Sequence, residues 1–127
     1  MKPNPIVWFE IYVQDMSRAK AFYETVFQCK LDPLPNPNPQ EFPDLEMWTF
    51  PSSMESPGAT GALVKMADCP SGGSTLVYFA CDDCAVEAQR AAASGGSIFK
   101  DKISIGEHGF IALVYDTEGN MVGLHSM

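Results

Sequence analysis

The chain has 127 residues and a net charge of −8, from eight basic and sixteen acidic side chains. That length is one domain able to bury a core, and a carboxylate surplus with no Lys/Arg cluster excludes a phosphate-reading nucleic-acid partner. No run approaches the roughly 20 apolar residues of a membrane span, and Met1-Lys-Pro-Asn-Pro5 does not read as a signal peptide. The expectation is a cytoplasmic protein with no membrane partner, a small-molecule ligand, and four reduced cysteines (Cys29, Cys69, Cys81 and Cys84).

In chain order, Ile6–Val13 alternates as a strand, Gln14-Asp15 makes an acidic turn, and Ser17–Phe27 reads as a helix with Ser17 as its N-cap. Ala19, Phe22, Tyr23, Val26 and Phe27 recur at helical spacing and are expected to face inward, with Lys20 and Glu24 paired on the solvent side. Three short strands follow, near Lys30-Leu31, at Leu45–Phe50 and at Thr60–Lys65. The five prolines between Pro33 and Pro43 exclude helix and central strand. They read either as a stiff loop across the mouth of a cleft or as a spacer. Ser52–Gly58 is a second loop with Met54 at its tip, and residues 67–73 are the linker.

The same unit then recurs about 68 residues later. Thr75–Cys81 is a strand, Asp82-Asp83 a turn, and Ala85–Ser94 a helix facing inward through Val86 and its alanines, ended by Gly95-Gly96. Strands are expected at Ser97–Phe99, Phe110–Tyr115 and Met121–His125, the last two joined by a glycine-bearing hairpin, Asp116–Asn120. The predicted fold is α+β: two βαβββ modules, about residues 1–66 and 74–127, forming a cupped mixed sheet with helices on its outer face.

Strand alternation assigns the faces. Val7, Phe9, Ile11 and Val13 share the helix side, as do Val77, Phe79, Cys81, Val122 and Leu124. Trp8, Glu10 and Tyr12, with Leu76, Tyr78, Met121, Gly123 and His125, take the opposite face and are expected to line a concave surface. Trp8, Tyr12, Trp48, Tyr78 and Met121 are the substrate-binding candidates. Glu10 and His125 are the catalytic candidates, as an acid/base pair or with Glu10 as a polar anchor. In Cys81-Asp-Asp-Cys84 the two aspartates are expected to raise the thiol pKa, which points to a structural role; His108 reads as a turn residue.

Trp8-Phe-Glu-Ile-Tyr-Val-Gln-Asp-Met-Ser-Arg-Ala-Lys-Ala-Phe-Tyr-Glu-Thr-Val-Phe27 resembles the opening module of the vicinal oxygen chelate superfamily, which includes glyoxalase I, bleomycin-resistance proteins and extradiol dioxygenases. Asp82-Asp83 with the following helix resembles the second module, and Asp116-Thr-Glu-Gly-Asn120 resembles the closing hairpin. The resemblance implies a homodimer and, for the enzymes, a divalent metal that acts as a Lewis acid on vicinal oxygens. The implied ligand positions fall at Trp8, Leu76, Gly123 and the stretch from Val64 to Met66, none of which supplies the expected lone pair. No metal or other cofactor is therefore expected, and the function expected is binding of a hydrophobic small molecule. The alternative is a metal-dependent lyase, isomerase or dioxygenase with ligands displaced to Glu10 and His125.

Overall fold

Alternating apolar residues build the first strand, β1 (Ile6–Tyr12), and the acidic turn after it starts helix α1 (Met16–Phe27). The structure is a computed structural model that describes residues 4–67, 69 and 75–127. The cap of α1 is Asp15 rather than Ser17: Asp15 is the last extended residue (φ −125°, ψ 101°), and its carboxylate accepts the Arg18 amide at 3.0 Å. Both residue types suit a cap, but only the residue with non-helical backbone can aim its oxygen at the first free amides.

Strands β2 (Asp32–Leu34), β3 (Glu46–Thr49) and β4 (Thr60–Lys65) complete the first module. They order as β2-β3-β4-β1, with β1 parallel to β4 and the other pairs antiparallel. The strand expected at Lys30-Leu31 begins later, at Asp32, and takes in Pro33 at the edge, where a missing N–H is tolerated. The second module runs β5 (Thr75–Ala80), α2 (Cys84–Ala93), β6 (Ser97–Ser104), β7 (Phe110–Tyr115) and β8 (Met121–Ser126), ordered β5-β8-β7-β6. Here β5 and β8 are parallel and the rest antiparallel. The βαβββ reading therefore holds in both halves. Strand β6 extends five residues past the expected Phe99, because register shifts on this edge strand break the alternation through Lys100-Asp101-Lys102. A 3-10 turn at Gly106–His108 precedes β7.

The chain divides into two compact units, Trp8–Thr75 and Leu76–Met127 with Met1–Val7. Residues 68 and 70–73 of the expected linker lie outside the described residues. In the first unit Val13, Leu31 and Leu63 close on Met16, Ala19 and Tyr23 of α1, while Met47, Ala62 and Val64 form a second cluster with Trp8, Tyr12, Leu34 and Leu45. In the other unit Cys84 and Ala88 of α2 pack on Ala112, Val114 and Leu124. Alanine at the contact lets that helix lie close to the strands.

Three helix expectations are corrected. The inward line of α1 is Met16, Ala19 and Tyr23, whereas Phe22, Val26 and Phe27 are 58%, 53% and 63% exposed. Lys20 and Glu24 do not pair with each other. The Lys20 ammonium stands 3.2 Å from the Trp48 ring centroid, and the Glu24 carboxylate accepts the Leu31 amide at 2.8 Å. Each finds a better partner inside the unit than a screened surface pair would give. On α2, Cys84, Ala88 and Ala91 face the core and Val86 is exposed. Val7 and Phe79, both read as helix-side residues, also remain exposed.

Candidate functional site

The first unit presents a carboxylate inside an apolar sheet face. Trp8, Glu10 and Tyr12 project from the same side of β1, and their neighbours on β4 in register are Thr60, Ala62 and Val64. Glu10 is only 9% exposed. The Trp8 indole Nε1 donates to its Oε2 at 3.1 Å, and the Tyr12 hydroxyl donates to its Oε1 at 2.9 Å. Period-two spacing makes this possible, because residues two apart on a strand stand side by side. A buried carboxylate needs such donors to offset its lost hydration. Ala62, in register with Glu10, is small, so no bulky side chain from β4 crowds the carboxylate; Met47 continues the apolar floor.

Burial first, then the Glu10 charge and its hydrogen bond, push the Tyr12 phenol far above its ordinary 10.0. The folded state thus holds this proton more tightly than the unfolded chain does. The stability from Tyr12 is complete below pH 10.0 and falls as the pH rises beyond it. Denaturant midpoints measured at about pH 9 and about pH 11 will drop more in the wild type than in Tyr12→Phe, which has no phenol to ionise. Equal drops would exclude this role for Tyr12.

Trp48 does not join this group. It is in register with Leu63 and packs with the α1-side cluster, its Nε1 donating to Glu46 at 3.1 Å. In the other unit Tyr78 is buried and lies across Gly123, its partner in register on β8. Met121 and His125 flank Gly123 on the same face of β8. The His125 Nε2 donates to the His108 carbonyl at 2.6 Å, which fixes the tautomer and puts His108 in a supporting turn.

The metal implied by the resemblance does not fit these residues. Trp8 offers only an N–H, already given to Glu10; Leu76 and Val64 are buried aliphatic side chains, and Lys65 and Met66 beside Val64 bring an ammonium and a thioether rather than the His or Glu donor expected; Gly123 has no side chain and is covered by the Tyr78 ring. Among the described residues no three His, Cys, Asp or Glu side chains gather as ligands.

Sequence reasoning placed Trp8, Glu10 and Tyr12 on one face but missed Ala62 and Met47, which depend on strand register and carry no local signal. A cavity of about 410 Å³ lined by Gln14, Asp44, Glu46, Lys65, Met66 and Ala67 was also missed. Its charged lining is solvent-exposed, so Glu10 is the more specific chemical feature of the unit. None of the four cysteines is in a disulfide. The Cys81 thiol is pushed up to about 11, first by burial and then by the Glu87 charge, and not by the neighbouring aspartates. Asp83 instead caps α2 and pairs with Lys102 at 3.0 Å.

Residues 5–38 match the family described as bleomycin resistance protein-like N-terminal. Comparison with curated proteins found no match. A methylmalonyl-CoA epimerase from Mycobacterium tuberculosis has a similar structure, with 14% identity over 96% of this chain and 87% of its own and a TM-score of 0.66. A Streptomyces coelicolor methylmalonyl-CoA epimerase variant, in complex with 2-nitronate-propionyl-CoA, is 16% identical over 98% of each chain, with a TM-score of 0.69. A hypothetical protein from Bacillus halodurans is 12% identical over 99% of this chain and 96% of its own, with a TM-score of 0.71. At such identities the likeness establishes the fold and leaves the reaction open.

Proposed function

We propose, for a chain with the paired βαβββ fold of the vicinal oxygen chelate superfamily, that it binds an apolar small molecule against the aromatic face around Glu10, without a metal. The reading has it act as a cytoplasmic homodimer. The observation that carries it is the Glu10 carboxylate, buried and held from both sides by Trp8 and Tyr12 over an apolar floor. Trp8 and Tyr12, both half-buried, supply the apolar area that a ligand buries. An ionised carboxylate only accepts hydrogen bonds. Glu10 is therefore suited to orient a ligand through one hydroxyl or N–H. Met121 offers a further, half-buried apolar surface within its own unit, beside the buried Tyr78.

Tryptophan fluorescence tests the reading, using Trp48→Phe so that the signal reports Trp8 alone. The panel holds apolar aromatic molecules and CoA thioesters, the latter because structural relatives are described with them. Saturable quenching with a Kd of about micromolar order is expected, weakened at least about tenfold in Glu10→Gln, a loss of roughly 1.4 kcal/mol. No saturable response from any member would count against binding at this face. Elemental analysis of protein purified without chelator is expected to find no stoichiometric transition metal. One metal per chain, lost in Glu10→Ala, would replace this reading with the displaced-ligand enzyme.

A further inference from the structure

Helix α1 buries Met16, Ala19 and Tyr23 and leaves a second set of apolar side chains at the surface. Lys20 lies over Trp48 and Glu24 caps Leu31, so both are engaged inside the unit. Phe22, Val26 and Phe27 are each more than half exposed. They are not loose: Phe22 meets the Tyr23 ring edge-on at 5.1 Å, and Phe27 stacks on it at 6.3 Å. Between Arg18 and Lys30 the exposed positions are Ala21, Phe22, Thr25, Val26, Phe27 and Gln28, all uncharged.

We infer that this face is where a second copy of the chain docks, α1 against α1 about a two-fold axis. The inference rests on the homodimer reading and gives it a location. Charge supports a second copy. In a chain of net charge −8, copies repel wherever carboxylates meet, and this face presents none. Area supports it too. At these exposures the three side chains present roughly 300 Å² of apolar surface, enough with their small neutral neighbours to form the centre of the roughly 600 to 1,000 Å² per partner that a stable dimer buries. Phe22 and Val26 are four apart and form one ridge, which can enter the groove of its own copy.

Sedimentation equilibrium on the full chain tests the inference. The wild type is expected to dimerise at about micromolar concentration, with Phe22→Glu and Val26→Glu each weakening the dimer about 100-fold. Circular dichroism should show both variants folded, since the positions are exposed. Val26→Glu mixed with Val26→Lys should restore association, because opposed charges meet across a two-fold α1 contact. A dimer that survives both glutamate substitutions would keep the homodimer reading and overturn this face. A wild type that stays monomeric at about 100 μM would overturn both. Flotation of a monomeric wild type with anionic phosphatidylserine vesicles would assign the face to a membrane surface and also overturn the inference.

Discussion

Gly61→Ala will destabilise the protein by about 3 kcal/mol, the upper part of the range for forcing a methyl group into a filled site. Gly61 is the partner in register of Phe9 where β1 runs parallel to β4. A Cβ there would lie 2.7 Å from the Phe9 Cγ and closer still to the Phe9 carbonyl oxygen. The carbonyl belongs to the backbone of a paired strand, so it cannot yield without breaking the ladder. Gly123→Ala meets a different obstacle, the Tyr78 ring, with its Cγ 2.7 Å away. Trimming the obstructing ring therefore separates the two positions. Tyr78→Leu should recover part of the Gly123→Ala loss, whereas Phe9→Leu should recover little at Gly61. Urea unfolding of the four singles and two pairs measures this. A Gly61→Ala protein within about 0.5 kcal/mol of wild type would show that the strands are less tightly held than described.

These glycines mark where reading the sequence stops. Alternation along β1 puts Trp8, Glu10 and Tyr12 on one face and Ile11 and Val13 on the other, and the structure agrees, because a period of two is a property of the single strand. The hairpin at Asp116–Asn120 was legible for a similar reason. Asp116 accepts the Glu118 and Asn120 amides at 2.8 and 2.9 Å, and Gly119 takes the positive φ of 85° that the turn demands. Which residue of β4 stands beside Glu10 depends on register between strands some 50 residues apart in sequence. Nothing local to Gly61 or Ala62 announces it.

Helix α1 shows the opposite failure, a strong local signal that tertiary packing overrides. Ala19, Phe22, Tyr23, Val26 and Phe27 make a stripe wide enough to be read as one buried face. The strands beneath accept only the Met16–Ala19–Tyr23 edge of it. The remaining half of the stripe is left at the surface, where it acquires a meaning that periodicity alone does not carry. Trp48 follows the same lesson. It is expected among the substrate-binding residues, but its register with Leu63 turns it to the α1 side, beneath Lys20.

Replacing Glu10 by leucine will cost about 2 to 4 kcal/mol in stability, even though leucine suits an apolar face. The loss comes from the neighbours. The Trp8 N–H and the Tyr12 hydroxyl both donate to Glu10, and a donor left in a buried site without its acceptor costs about 1 to 3 kcal/mol. The sign reverses once the donors go too. Tyr12→Phe in the Glu10→Leu background should cost less than Tyr12→Phe in the wild type, and adding Trp8→Phe should bring the triple variant nearer to wild-type stability, as replacing a whole buried polar group by apolar residues commonly does. Glu10→Gln, which keeps one acceptor oxygen, should fall between. Urea unfolding of the cycle supplies the stabilities, and fluorescence titration of the same proteins supplies the binding. A triple variant that folds as well as the wild type but no longer orients a ligand would separate the two roles of Glu10, since hydrophobic repacking restores the fold and cannot restore a carboxylate. A cycle with no coupling between Glu10 and Tyr12 would mean that their hydrogen bond contributes nothing, and the binding reading would lose the observation that carries it.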